Sequence, residues 1–228
     1  MTFYSVDLRQ PKQAEQIIVE PKRSLQKMMY RAYGKRLLDL ILVIGTAPVT
    51  VPVIALLAIA VLITGQSPFY VQQRIGLNGK IFLMFKLRTM LPNAEKRLEL
   101  YLKDNPDARA EWDSKQKLLE DPRVTPIGNW LRKTSLDELP QLINVLNGSM
   151  SLVGPRPMMP EQKAQYKGAA YYRLRPGMTG LWQVSDRNDC EFTGRVRFDE
   201  IYGRMVSLTT DIRVLAQTVV VVIKGTGV

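Results

Sequence analysis

The sequence of residues 40–63 is LILVIGTAPVTVPVIALLAIAVLI, and it contains no charged side chain. As a straight α-helix this stretch would be about 36 Å long. The hydrocarbon core of a bilayer is about 30 Å thick. Length and composition alone therefore predict a helix that crosses a membrane.

Two features of this stretch favour a re-entrant helix instead. Pro48 and Pro52 lie in its first half, and each removes a backbone N–H donor and bends the helix. Both flanks are rich in basic residues, and the positive-inside rule places both in the cytoplasm only if the chain returns. We therefore predict a helix-break-helix over residues 37–63 that enters and leaves on the cytoplasmic face, with a simple span as the alternative. The flanking basic residues are Lys22, Arg23, Lys27, Arg31, Lys35 and Arg36 before the stretch, and Arg74, Lys80, Lys86 and Arg88 after it.

Composition excludes several kinds of chemistry. The 228 residues contain no histidine and one cysteine, Cys190. These counts exclude a Ser-His or Cys-His catalytic pair, an intramolecular disulfide and a cysteine-rich zinc site. The net charge of +11 suits an anionic partner, such as nucleic acid, acidic lipid headgroups or a phosphorylated substrate. Acid–base and metal chemistry is left to Asp and Glu, with Mg²⁺ as the natural cation.

Two adjacent carboxylates stand out in residues 135–142, which read SLDELPQL. Ser135 and Glu138 have the spacing of a helix capping box. Asp137 is an alternative N-cap residue, which would make Pro140 the third residue of the helix. Asn147-Gly148 is typical of a helix C-terminus. The purely structural interpretation is that both acids only cap a short helix.

The cations around this acid pair favour a chemical role. Arg156 lies between Pro155 and Pro157, which restrict the backbone on both sides. Guanidinium groups are suited to bidentate contacts with phosphate. Two acids among several cations are expected if a metal bridges an acid and a phosphate, or if one acid attacks phosphorus while its neighbour acts as a base. The residues predicted to bind phosphate are Lys86, Arg88, Arg132, Arg156 and Arg175.

The rest of the chain predicts short strands and surface helices. Strand-like runs at residues 69–71 and 80–85 are separated by a turn at Gly76-Leu77-Asn78-Gly79. A charged helix is predicted over residues 93–119 with a break near Asn105-Pro106. Residues 148–157 are predicted to form a loop and residues 192–205 a helix. Residues 208–223 contain Asp211, Arg213 and Gln217, so we expect them to lie in the membrane interface or pack in the core.

Several motifs follow one another from about residue 33 to the C-terminus. They are Lys35-Arg36-x-x-Asp39, Gln73-Arg74-x-Gly76-x-x-Gly79-Lys80-x-Phe82, Phe85-Lys86-Leu87-Arg88-Thr89-Met90, Asp121-Pro122-Arg123-x-Thr125, Arg132-x-x-Ser135-Leu136-Asp137-Glu138-Leu139-Pro140-Gln141, Ser151-Leu152-Val153-Gly154-Pro155-Arg156-Pro157 and Arg175-Pro176-Gly177-x-Thr179-Gly180. Together these motifs resemble those of the monotopic phosphoglycosyl transferases, the bacterial sugar transferase superfamily.

The resemblance implies transfer of a sugar 1-phosphate from a UDP-sugar to undecaprenyl phosphate, with Mg²⁺ and release of UMP. It implies that Asp137 is the nucleophile that carries the phosphosugar, and that Glu138 is the base for the acceptor. Asp137 is also assigned to the metal. Galactose or glucose is favoured over an N-acetylated sugar, because the ending through Gly225-Thr226-Gly227 resembles the short exopolysaccharide-initiating members.

The predicted architecture is an α/β, mostly helical fold with short strands. Residues 1–36 form a flexible and basic amphipathic segment, residues 37–63 the membrane hairpin, and residues 64–228 the catalytic domain. Interfacial amphipathic helices and anionic lipids would hold this compact domain at the cytoplasmic face of the bacterial inner membrane. The alternatives are a membrane-anchored nucleic-acid-binding protein, which we do not favour because it leaves the acid pair unused, and a non-catalytic scaffold. A homodimer is left open.

Overall fold

The computed structural model describes residues 25–115, 118–185 and 194–223. Within these ranges the chain is mostly helical with four short strands, in agreement with the predicted fold class. The predicted flexible segment up to residue 24 and the Gly225-Thr226-Gly227 ending lie outside the described residues. The helices are α1 (Leu25–Ile63), α2 (Ala94–Asp104), α3 (Pro106–Lys115), α4 (Pro126–Lys133), α5 (Gln141–Leu146), α6 (Leu181–Val184), α7 (Arg195–Met205) and α8 (Leu208–Ile223). The strands are β1 (Phe69–Ile75), β2 (Ile81–Leu87), β3 (Ser151–Val153) and β4 (Gly177–Thr179).

Helix α1 is long and apolar, and in the described part of the chain it is the one helix that could cross a membrane by length and composition. It includes a π-helical turn at Tyr30–Gly34. Helical geometry continues through Pro48 and Pro52, so the predicted helix-break-helix over residues 37–63 is one continuous helix in its secondary structure.

Both ends of the apolar part of α1 pack against the same globular body. Near its start, Asp39 Oδ1 accepts a hydrogen bond from the Leu152 backbone N–H at 3.0 Å, and Val43 joins a buried cluster with Met84. Near its end, Ala58 and Val61 join a second buried cluster with Leu87 and Leu131. The side chains at residues 44–56 are exposed or half-buried. The domain therefore contacts α1 at two places and leaves its middle uncovered.

Strands β1 and β2 form an antiparallel hairpin, with Phe69 opposite Leu87 and Ile75 opposite Ile81. The predicted turn is confirmed at Leu77–Gly79, where Asn78 has φ 57° and Gly79 has φ 74°. Both strands extend beyond the predicted runs. The hairpin brings Lys86, near the end of β2, into contact with Asp137 and Glu138.

Strands β3 and β4 are parallel neighbours, so the prediction that residues 148–157 form only a loop was wrong. The reason is a close backbone approach that glycines allow. A Cβ atom on Gly177 would lie 2.1 Å from the Gly154 nitrogen, and one on Gly180 would lie 2.1 Å from the Gly154 oxygen. This contact fixes the start of the Pro155-Arg156-Pro157 segment.

A buried carboxylate joins α1 to the C-terminal helices. Asp211 in α8 is 0% exposed and accepts hydrogen bonds from Tyr30 Oη at 2.6 Å, Lys35 Nζ at 2.8 Å and Tyr202 Oη at 2.8 Å. One face of α8 therefore packs in the core, with Val214 also fully buried. The predicted helix over residues 192–205 is confirmed from Arg195 onward, while residues 192 and 193 lie outside the described ranges. The predicted break near Asn105-Pro106 is confirmed between α2 and α3.

We predict that Gly177→Ala destabilises the fold by about 3 kcal/mol or more, because its Cβ would overlap backbone atoms that cannot move aside. The measurement is chemical unfolding of the protein in detergent micelles. Gly45→Ala is the matched control, because a Cβ atom there meets nothing within 4 Å. An alanine in that helical position should leave stability equal or slightly higher. Equal stability of both variants would contradict the packing argument.

Candidate active site

The acid pair lies in a 3₁₀ turn, Leu136–Glu138, between α4 and α5. Ser135 precedes the turn with φ 56°, a left-handed conformation that is strained for a residue with a side chain. The Ser135 side chain makes no capping hydrogen bond, and α5 begins at Gln141. Both capping predictions were therefore wrong, and Pro140 precedes α5 instead of lying inside it. The predicted helix end is confirmed, since Asn147 follows α5 and Gly148 has φ 82°.

An asparagine of α5 fixes the acid turn against the hairpin. Asn144 is buried, and its Oδ1 accepts from the Phe85 backbone N–H at 3.0 Å. Its Nδ2 donates to the Leu83 carbonyl at 2.7 Å. These bonds set the register between α5 and β2 one residue before Lys86. Sequence reasoning missed Asn144, and its only signal was one amide within an apolar helical run.

Lys86 lies between the two carboxylates. Its Nζ is 2.8 Å from Glu138 Oε1 and 3.5 Å from Asp137 Oδ2. A second cation approaches from the opposite loop, with Arg156 Nη2 3.8 Å from Glu138 Oε1. Asp137 is 6% exposed. Burial raises the pKa of Asp137 above its usual range, while Lys86 and Arg132 oppose that rise and Glu138 adds to it.

Arg132 reaches the site from α4. Thr125 caps this helix by accepting from the Gly128 backbone N–H at 3.0 Å. A Cβ atom on Gly128 would lie 2.1 Å from the Thr89 oxygen, so α4 packs closely on the segment after β2. Arg132 Nε donates to Thr89 Oγ1 at 3.0 Å. Burial lowers the pKa of Arg132, and attraction to Asp137 opposes that fall.

An open cleft of about 1710 Å³ contains the acid pair and most of the predicted cations. Lys86, Arg88, Arg132 and Arg156 all line it. The Arg88 guanidinium also donates to the carbonyls of Ser67 and Phe69.

Arg175 is placed elsewhere. In the described part of the chain it is not among the residues that line the cleft, and its Nε donates to the Gly148 carbonyl at 3.0 Å. Arg175 is therefore not placed with the other predicted cations, and its contact with phosphate stays a prediction.

Two further arginines support the Arg156 loop, and neither was predicted as a site residue. Arg74 Nη1 donates to the Pro157 carbonyl at 3.1 Å, and burial with repulsion from Arg156 lowers the pKa of Arg74 to about 10. Arg195 Nη2 donates to the Arg156 carbonyl at 2.5 Å. Its guanidinium lies 5.2 Å from the centroid of the Trp182 ring. These residues are far apart in the sequence, so no local pattern indicated that they would contact one another.

A buried ion pair builds the other wall of the cleft. The Arg123 guanidinium contacts both carboxylate oxygens of Asp121, at 2.8 Å and 2.6 Å, and lies 5.3 Å from the Trp112 ring centroid. Burial alone would raise the pKa of Asp121, but its hydrogen bonds from Arg123 outweigh burial and lower it.

The carboxylates present are compatible with magnesium. Among the described residues, no group of three or more His, Cys, Asp or Glu side chains could hold a metal ion. Mg²⁺ in phosphate-binding sites usually takes only one or two carboxylates and completes its shell with water and substrate phosphates. Asp137 and its neighbour Glu138 match that smaller requirement.

Comparison with known proteins identifies the family. The model of the bacterial sugar transferase family matches residues 30–225. The chain therefore belongs to the bacterial sugar transferase family.

Curated relatives carry related descriptions. The chain is 42% identical over 227 residues to a UDP-galactose-lipid carrier transferase of Erwinia amylovora, which covers 99% of this chain and 47% of that protein. It is 40% identical over 229 residues to an undecaprenyl-phosphate galactose phosphotransferase of Salmonella typhimurium, covering 100% of this chain and 48% of that protein. It is 47% identical over 165 residues to the exopolysaccharide production protein ExoY of Sinorhizobium fredii, covering 72% of this chain and 73% of that protein. The chain thus spans about half the length of the first two relatives.

We predict that Arg123→Met costs about 3–5 kcal/mol of stability near neutral pH, because it leaves the buried Asp121 carboxylate without its partner. The paired Asp121 has a folded pKa below its unfolded value of about 3.9, so it stabilises the fold above that pH. This stabilisation is lost as pH falls through the folded pKa, and the difference between variant and wild type should shrink there.

Unfolding in denaturant at several pH values measures both effects. Arg109→Met is the matched control, because Arg109 and Asp113 form an exposed pair with side chains 60% and 58% exposed. We expect a change below about 1 kcal/mol for that variant. A pH-independent loss in Arg123→Met would contradict the role of the ion pair.

Proposed function

We propose that this chain transfers a sugar 1-phosphate from a UDP-sugar, with galactose or glucose favoured, to undecaprenyl phosphate and releases UMP. The observation that carries this proposal is the buried Asp137 carboxylate beside Glu138, with Lys86 between them, in a cleft lined by cations. The donor and the acceptor are supported by two relatives, which are named a UDP-galactose-lipid carrier transferase and an undecaprenyl-phosphate galactose phosphotransferase.

In the first half-reaction, an Asp137 oxygen attacks the phosphorus that carries the sugar. The bond from this phosphorus to the bridging oxygen breaks, and its electron pair leaves with UMP. The result is an acyl phosphate between Asp137 and the sugar phosphate. Burial raises the basicity of the carboxylate, while Lys86 and Arg132 help to keep it ionised.

In the second half-reaction, Glu138 accepts the proton from undecaprenyl phosphate. The acceptor oxygen then attacks the same phosphorus, the bond to Asp137 breaks, and the carboxylate is regenerated. Lys86 and Arg156 approach Glu138 from two sides and would hold the acceptor phosphate beside it. Their charges would also offset the negative charge that develops on the transferring group.

Asp137 would hold Mg²⁺ together with the substrate phosphates. When bound, the ion would neutralise phosphate charge.

We also propose that α1 is a re-entrant anchor that bends at Pro48 and Pro52. Its two ends pack on one domain, while residues 44–56 are left uncovered and apolar. A bend at the prolines would bury this middle part in one leaflet and return the chain to the cytoplasmic side. Basic residues such as Lys27 and Arg31 would then meet anionic lipid headgroups. This position would give the cleft access to a lipid acceptor in the first membrane step of glycan assembly.

We predict that Asp137→Asn lowers both UMP release and labelling of lipid by at least about 1,000-fold, as expected for loss of a nucleophile. Glu138→Gln should still release UMP in a first turnover but slow transfer to lipid by about 100-fold or more. The assay combines radiolabelled UDP-galactose or UDP-glucose, Mg²⁺ and undecaprenyl phosphate with protein in detergent.

The matched control is Asp113→Asn, an exposed carboxylate on α3, which should keep full activity. Wild-type turnover by Asp137→Asn would refute the assignment of Asp137 as the nucleophile. A first-turnover defect in Glu138→Gln would refute the assignment of Glu138 to the second half-reaction only.

For the topology, single cysteines replacing Tyr33 and Gln66 in a Cys190→Ser background should both react with an impermeant reagent from the cytoplasmic side only. Labelling is compared between right-side-out and inside-out membrane vesicles, which expose opposite faces of the membrane to the reagent. Labelling from opposite sides would instead establish a simple span.

A further inference from the structure

We infer that one end of the cleft, lined by Gln72, Met159, Gln162 and Gln165, recognises the hydroxyl groups of the transferred sugar. All four residues line the same cleft as Asp137. This inference rests on the proposed function and adds to it the residues that select the sugar. We call this region the glutamine end.

Hydrogen bonds fix the orientation of two of these amides. Arg74 Nη2 donates to Gln72 Oε1 at 2.6 Å, and the Met159 backbone N–H donates to Gln162 Oε1 at 2.9 Å. A guanidinium and a backbone N–H can only donate, so the carbonyl oxygen of each side chain must face them. The NH₂ groups are thereby directed away from these donors. Gln72 Nε2 approaches Met159 Sδ at 3.5 Å, which is only a weak acceptor.

The glutamine end is connected directly to the reacting groups. Arg156 lies 3.8 Å from Glu138, and Pro157 follows Arg156 in the chain. The Pro157 carbonyl accepts from Arg74, which in turn holds Gln72. The amides therefore lie just beyond the cations that we assign to phosphate, on the side of the Arg156 loop.

The chemistry of the two cleft ends differs. The other end carries Trp112 and Tyr101 with the Asp121–Arg123 pair, and flat rings suit the stacking of a nucleobase. Uncharged NH₂ donors do not suit a phosphate as well as arginine does, and they do not suit a polyprenyl tail. They do suit sugar hydroxyls, which accept hydrogen bonds in defined directions. The donor sugar is the substrate part that fits the glutamine end.

A site of this kind discriminates between sugars that differ in the direction of one hydroxyl group. Galactose and glucose differ only in this way, at carbon 4. A sugar that leaves a buried amide donor without an acceptor binds more weakly than the loss of one hydrogen bond alone would predict, because the unpaired donor also loses its contact with water. Gln162 is buried and Gln72 is half-buried, so water replaces a lost partner poorly at either amide.

The test uses Gln72→Glu and Gln162→Glu, because glutamate keeps an oxygen that accepts from Arg74 or from the Met159 N–H and replaces the NH₂ donor with a negatively charged acceptor oxygen. Wild type and variants transfer from an equimolar mixture of UDP-galactose and UDP-glucose to undecaprenyl phosphate. We expect at least one variant to change the ratio of the two lipid products by about three- to tenfold, the worth of one hydrogen bond. The effect of the added negative charge on the diphosphate, which UDP-galactose and UDP-glucose share, cancels in this ratio.

Gln66→Glu is the matched control, because Gln66 is not among the residues that line the cleft and the charge change is the same. Its product ratio should equal that of wild type. If a variant is too slow for products to be measured, equilibrium binding of UDP-galactose, UDP-glucose and UMP replaces the assay. Loss of the NH₂ group should then change the ratio of the affinities for UDP-galactose and UDP-glucose. The affinity for UMP, which has no sugar to contact the glutamine end, should change only by the effect of the added charge.

An unchanged ratio in both variants would overturn the inference, and so would a defect confined to the KM for undecaprenyl phosphate. Failure of wild type to transfer any sugar would refute the proposed function instead, so the two failures are distinguishable.

Discussion

The contact of Lys86 with two adjacent carboxylates is the interaction on which the site depends. Asp137 is buried, and a buried carboxylate is costly unless a cation or hydrogen bonds compensate it. The Nζ atom of Lys86 is 2.8 Å from one carboxylate and 3.5 Å from the other. This cation comes from a strand, while the acids come from a strained turn. The hairpin and the turn must therefore be held in register, which Asn144 does through its bonds to Leu83 and Phe85.

The same principle of compensated buried charge joins the long apolar helix α1 to the domain. Asp211 is fully buried and receives three hydrogen bonds, two of them from Tyr30 and Lys35 of α1. Asp39 of α1 receives a backbone hydrogen bond from the residue at the centre of β3. An apolar helix alone could slide on an apolar surface, whereas these bonds require one position. These contacts consequently set the position of α1 relative to the domain that contains the cleft.

The Arg156 loop shows how backbone packing determines the position of a side chain that lines the cleft. Gly154, Gly177 and Gly180 let two backbones approach to distances that a Cβ atom would prevent. Arg74 and Arg195 then donate to the carbonyls of Pro157 and Arg156. The prolines on either side of Arg156 restrict the loop, but its direction comes from these tertiary contacts.

The sequence by itself determined the apolar helix, the hairpin with its turn, the break between α2 and α3 and the choice of Asp137 and Glu138 as the candidate acid pair. Each of these depends on local patterns, such as hydrophobic runs, turn residues and composition, that act between near neighbours. It did not determine the conformation of the acid turn, where tertiary packing holds Ser135 with φ 56° in place of the predicted cap. Nor could it separate Arg175, which contacts Gly148, from Arg132, which lies near Asp137. The parts played by Arg74, Asn144 and Gln162 were decided only in three dimensions, because a hydrogen bond between distant segments leaves no periodicity or spacing in the chain.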